Sequence, residues 1–189
     1  MLHPPSVQRI LEEANKWLHV REIGNNRSFN DPEFEKLMKE VGWRPGYAWC
    51  VLFCKAVWWS VYRGTEHEKA VLNVLQPGGQ LSWRKAKMHP YVMARQQPVV
   101  GGVTIMKTGQ TTSHAWIATE ILDEFRMRSI EGNTNSAGSR EGDAVETKIR
   151  RISGKVSSRW QYLGSIYPPD YKEYTDGNIA TDDLLASSE

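Results

Sequence analysis

The chain has 189 residues, of which 40% are hydrophobic and 24% charged, and a formal net charge of +2. The length fits one domain with an ordinary core, the composition excludes wholesale disorder, and the charge is too small to imply a nucleic-acid partner. There is no uninterrupted apolar run of about 18 residues, so no membrane insertion is expected, and "MLHPPSVQRILEEANKWL" has no apolar signal region, which predicts synthesis in the cytoplasm without a signal peptide.

In "PPSVQRILEEANKWLHV" a proline stands at a helix-start position, and Val7, Ile10, Leu11, Ala14 and Leu18 recur at helical spacing, predicting a first helix. "REIGNNRSFN" breaks it through Gly24 and two asparagines. "DPEFEKLMKEVG" predicts a second helix, with Asp31 as N-cap, Pro32 at the first helical position and Gly42 as the stop. After the turn "RPGY", the apolar run "AWCVLFCKAVWWSVYRG" predicts a buried central helix that begins near Trp49 and ends at Gly64. Residues 64–97 are mixed and predict short helices and a loop broken at Pro77-Gly78-Gly79. Beyond Pro98, "VVGGVTIMK", "SHAWIATEIL", "FRMRSIEGN", "AVETKIRRI" and "WQYLGSIYP" read as about five strands of an antiparallel meander. Helices first and strands second is the α+β order. The polar, acidic residues 169–189 are expected to be a flexible or loosely docked tail behind a single domain over 1–168.

The chemistry starts from two cysteines, Cys50 and Cys54, one helical turn apart. A metal would need further Cys or His ligands at sensible spacing, and none is near, so neither a metal nor any other cofactor is expected. Sulfurs at i and i+4 of one helix are poorly placed for a disulfide. Both could simply be small core residues. Position separates them: Cys50 sits at the helix start, where unpaired N–H groups and the positive end of the dipole favour a thiolate, while Cys54 lies a turn inside among Phe53, Val57 and Trp58. A nucleophile should therefore be Cys50.

A thiol nucleophile needs a base, and the base needs an orienting partner. Of the five histidines, His3, His19, His67 and His89 have the surroundings of surface residues. His114 opens the strand "SHAWIATEI" and shares a face with Trp116 and Ala118, from which it can meet a helix packed across the sheet. In "SIEGNTN", Glu131 and Asn133 project to one side of a strand end, and either could accept the Nδ1–H of the histidine. A structural histidine and a plain turn are the competing readings of these two segments.

Taken together these segments resemble a known family. "GYAWCVLF" is similar to the nucleophile signature of the CHAP and NlpC/P60 cysteine peptidases, in which an aromatic residue precedes a Cys that opens a helix. "SHAWIATE" resembles their histidine strand, and "IEGNTN" the Glu-x-Asn segment of the CHAP branch. "REIGNNRSFNDPEFEKLMKEVG" and "REGDAVETKIRRI" resemble segments of phage and prophage members, so that the similarity spans about residues 8–168. It implies a papain-like fold, with N-terminal helices and the Cys helix packed on an antiparallel sheet of about five strands. It also implies a peptidoglycan hydrolase that cuts a muramoyl–L-alanine amide or a stem- or bridge-peptide bond. The catalytic residues carried over are Cys50, His114 and Glu131, with Asn133 as a further site residue; Tyr47, Trp49, Trp116 and Asn26 would line the substrate groove. The expected partner is bacterial peptidoglycan, reached at the cell wall or periplasm after release or secretion, and the protein is expected to be a monomer.

The chain departs from the family in three places. Gly102 stands where an Asp is usual, Ser113 replaces a Gly before the histidine, and Trp116 is bulky for its strand; these bear on a turn and on groove shape. "GWRPGYAWC" has none of the acidic residues that calcium-binding CHAP members carry before the Cys, so no calcium site is expected. Two other classes compete: a catalytically silent papain-like binding module, and a papain-like hydrolase or acyltransferase with a non-wall substrate.

Overall fold

Proline at the first helical position opens α1, Pro5–Lys16, in the computed structural model, which describes residues 3–134, 142–152, 160–172 and 174. The segment that ends α1 forms a small hairpin absent from the sequence reading, β1 (Glu22–Ile23) with β2 (Ser28–Phe29). Gly24, Asn25 and Asn26 make its turn with positive φ, a conformation glycine and asparagine tolerate best. Asp31 caps α2 (Pro32–Glu40) as predicted, its carboxylate accepting the Phe34 N–H at 2.9 Å.

The apolar run becomes α3, Cys50–Tyr62, with Trp49 as N-cap. Apolar residues surround this helix on all sides, and such a helix must be buried; only Trp59 and Ser60 are less than fully buried. It packs against α1, α2 and the sheet. The mixed stretch yields α4 (Glu68–Val74), α5 (Gly79–Met88) and a two-residue strand, β3 (Ala94–Arg95). The five predicted strands follow as β4 (Val103–Lys107), β5 (Ser113–Asp123), β6 (Arg126–Thr134), β7 (Ala144–Arg151) and β8 (Gln161–Ile166).

The chain is thus α+β, and two details of the sheet differ from expectation. It has six strands, because β3 adds to the edge, and its order is β3-β8-β4-β5-β6-β7, all pairs antiparallel. A meander holds only from β4 to β7. β8 returns to the open side of β4, whose unpaired backbone groups would otherwise form an exposed edge. Val103, Ile105, Ala115, Ile117 and Ile130 join α3 in the main core. Met106, Trp116, Ala118 and Met127 form a second cluster with Ile152 and Tyr162 on the opposite face. The start of the expected tail is docked: Asp170 accepts the Tyr62 hydroxyl at 2.6 Å and Tyr171 packs edge-on to Tyr167. Residues 173 and 175–189 lie outside the described residues.

Gly132 sets how closely β6 approaches the start of α3. A Cβ there would lie 2.5 Å from the Trp49 ring and 2.6 Å from Phe53 Cβ, inside any real contact. Replacing it with Ala should therefore destabilise the fold by about 1–3 kcal/mol through overpacking. Urea unfolding measures this directly, and an unchanged midpoint would show that α3 and β6 can separate freely.

Candidate active site

Cys50 is the first residue of α3, so its thiol sits where the helix has N–H groups without intrahelical acceptors. The side chain is 7% exposed. The groups that act on its thiol are the His114 imidazole and the backbone N–H groups of Ala115 and Val51, and His114 shares the cleft with it. His114 is the second residue of β5, paired with Met106 of β4. Alternation turns Ala115 and Ile117 toward α3 and leaves the imidazole on the side of Trp116, with ring centroids 5.9 Å apart. His114 therefore does not face α3 across the sheet; it meets Cys50 where the helix start adjoins the start of β5.

The imidazole donates from Nε2 to Glu131 Oε2 at 2.8 Å. The orienting bond thus uses Nε2 and not the expected Nδ1, which leaves Nδ1 as the ring nitrogen for the thiol. Glu131, on β6, is fully buried. A buried carboxylate requires compensation, and here it is nearly saturated: Ser129 Oγ donates to Oε1 at 2.6 Å, Arg150 Nε to Oε1 at 2.7 Å and Arg150 Nη2 to Oε2 at 2.5 Å. Asn133 does not bond the histidine. It adopts φ 56° after the Gly132 contact, is 6% exposed, and its buried Oδ1 has no partner.

These neighbours polarise the group. Burial alone would raise the Cys50 thiol, but the hydrogen bond and charge of His114, with the Ala115 and Val51 N–H groups, bring it below the ordinary thiol range. Burial would lower His114, yet its bonds to Cys50 and Glu131 raise it to about 9. For Glu131 burial is again opposed, by Arg150 and His114, and the carboxyl falls to about 2. Cys54, one turn deeper, is pushed well up by burial and by the nearby Cys50 and Glu131 charges. These shifts favour a thiolate at Cys50 beside an imidazolium at His114, and they keep Cys54 a neutral core thiol.

Cys50, His114 and Asn133 open onto a cleft of about 180 Å³, whose other walls are Ala48, Val51 and residues 77–79 and 111–113. The sequence reading missed the far wall. Gln80, in the first turn of α5, holds it in place: its side-chain amide donates to the carbonyls of Gly109, Gln110 and Thr112 at 3.3, 3.2 and 2.9 Å. A larger hollow of about 730 Å³, beside Tyr167 and Tyr171, shares no residue with this cleft and contains no cysteine, so volume alone does not locate the chemistry.

The four residues expected to line the groove lie elsewhere. Trp49 is fully buried against Phe29 and Phe34, and its Nε1–H is held by Glu22 Oε2 at 2.9 Å. Trp116 is fully buried in the second cluster, its Nε1–H 3.1 Å from Met127 Sδ, beneath the Arg150 guanidinium. Asn26 belongs to the hairpin turn: its N–H donates to Glu22 Oε1 and its carbonyl accepts the Gly46 N–H at 2.6 Å. Tyr47 is 44% exposed but is not part of the cleft wall. Trp49 and Asn26 instead brace the turn before Cys50, both through Glu22. Arg150 and Ser129 were missed as well. The alternation of Glu146, Lys148 and Arg150 along β7 puts a charged face beside the strand that carries Glu131, and that was the available signal. Among the described residues no group of three or more His, Cys, Asp or Glu side chains is placed to hold a metal ion.

Because thiolate is the reactive form, the lowered Cys50 thiol should be alkylated by iodoacetamide at a pH below the range of a free thiol. The rate should fall only as pH drops through that lowered value, and Cys54 should remain unmodified in the folded protein. Peptide mapping that finds equal labelling of both cysteines, or an ordinary thiol profile at Cys50, would contradict the polarised pair. No protein-family model, curated protein or solved structure matches the chain.

Proposed function

We propose that this chain is a cysteine amidohydrolase with a papain-like arrangement of the CHAP and NlpC/P60 kind, and that it cleaves an amide bond of bacterial peptidoglycan. The observation that carries the enzyme reading is the buried chain of contacts Cys50–His114–Glu131 at a helix start, open to a cleft. The substrate reading rests on the resemblance of the motifs around these residues.

In this mechanism the Cys50 thiolate attacks the amide carbonyl. The oxyanion of the tetrahedral intermediate lies at the start of α3, where the Cys50 N–H is an available donor. The imidazolium of His114 gives its Nδ1 proton to the departing amine as the C–N bond breaks, leaving a thioester on Cys50. His114, now neutral, takes a proton from water, which attacks the thioester; the acid product leaves and the thiolate–imidazolium pair is restored. Glu131 holds the ring and stabilises its cationic form without itself being protonated. Asn133 lines the cleft with an acceptor that a substrate N–H can satisfy. The protein would act at the wall or periplasm as a monomer.

The test is digestion of purified peptidoglycan, with released fragments identified by mass spectrometry. Cys50→Ala and His114→Ala should abolish cleavage, Glu131→Gln should lower kcat by about 10²–10⁴-fold, and Cys54→Ala should cut as the wild type does. Cleavage by Cys50→Ala would remove the nucleophile assignment. Failure of the wild type on walls of several chemotypes would remove the substrate, and binding without cleavage would favour a silent binding module.

A further inference from the structure

The sequence assigned Arg150 no part in the site, yet it makes two of the four hydrogen bonds to the Glu131 carboxylate. Its guanidinium meets the carboxylate in a bidentate fork, Nε to Oε1 and Nη2 to Oε2, so both oxygens are fixed in one plane. Oε2 is the oxygen that His114 contacts, and Oε1 is the one that Ser129 contacts. The guanidinium is itself held over the Trp116 ring, 5.6 Å from its centroid. Two other charged residues of its strand pair with each other, Lys148 with Glu146 at 2.7 Å, and Glu146 also takes Arg21 at 3.1 Å.

We propose that Arg150 is a positioning residue for the Cys50–His114 pair, clamping Glu131 from behind so that one carboxylate oxygen is always presented to the imidazole, and offsetting its charge so that the imidazolium can still release its proton. An unclamped Glu131 would bind the imidazolium more tightly, which would hold back the proton that the leaving amine needs. The trade-off follows from the position of Arg150 on the far side of one carboxylate. The charged and ionisable groups acting on the pair are Glu131 and Arg150 from the sheet and Cys54 from α3; Ser129 and Trp116 are neutral. The inference rests on the Cys50–His114 pairing of the proposed function but not on its substrate.

The experiment is the pH dependence of Cys50 alkylation by iodoacetamide, read by peptide mapping, in wild type, Arg150→Gln and Arg150→Lys, with a thermal melt of each. Removing a nearby positive charge makes both the thiol and the imidazolium hold their protons more tightly. The midpoint should therefore rise by about one pH unit in Arg150→Gln. Lys keeps the charge but not the fork, so Arg150→Lys should show a smaller rise of the same sign. A merely structural arginine would lower the melting temperature without moving the midpoint, and midpoints equal to wild type in the variants that fold would overturn the proposal. If Arg150→Gln does not fold, the Lys variant alone decides by the sign of its shift. A shifted midpoint in a protein that cuts no wall polymer would leave the role of Arg150 standing and remove the substrate.

Discussion

A fully buried carboxylate on β6, the strand beside the sheet's edge, is the constraint around which the candidate site is built. Glu131 cannot stay ionised there without donors on nearly every lone pair, because burying a charge uncompensated costs several kcal/mol even after relaxation. Arg150, Ser129 and His114 supply those donors from three neighbouring strands. Once the carboxylate is held ionised, the imidazole that bonds to it is held as a cation, and the cation in turn favours a thiolate at Cys50. Each group is charged because the next one is. Such an arrangement is costly to bury and holds only while every partner is in place.

The geometry depends on two close approaches. Gly132 lets β6 pass against Trp49 and Phe53, which brings Glu131 and Asn133 level with the start of α3. Glu22, on the small hairpin, receives both the Trp49 indole and the Asn26 backbone, and so fixes the turn that delivers Cys50. The N-terminal segment therefore shapes the site without entering the cleft. Gln80 does the corresponding work on the far wall, tying the loop before His114 to α5. Rigid elements carry the reactive groups, and the loops around them are pinned by single polar side chains.

Much of this was legible in the sequence because the signals are local. A cysteine after a turn, at the head of an apolar helical run, has one plausible position in the fold. Strand alternation correctly placed His114 and Trp116 on one face. That face, however, is covered by Arg150, Ile152, Trp160 and Tyr162, so Trp116 became core and not groove, and His114 had to reach Cys50 from the strand's start. The direction of an aromatic ring beside a nucleophile is not encoded by adjacency, which is why Trp49 was misplaced. For Arg150 the charged alternation of its strand was legible but its partner was not: the contact with Glu131 depends on the β6–β7 register, in which Glu131 lies opposite Glu146 and Arg150 opposite Met127. The return of β8 to the open side of β4 is likewise a choice between edges that short strand patterns do not make.

The charge state of His114 is the most direct reporter of the whole network. A pH titration of its ring nitrogens by ¹⁵N NMR, in wild type and in Cys50→Ala, reads it without any substrate. In the wild type both nitrogens should be protonated at neutral pH and titrate near the value of about 9 that the Cys50 and Glu131 contacts impose. Loss of the thiolate in Cys50→Ala should move the titration down. A histidine that is neutral at pH 7, and that titrates identically with and without Cys50, would contradict a preassembled thiolate–imidazolium pair.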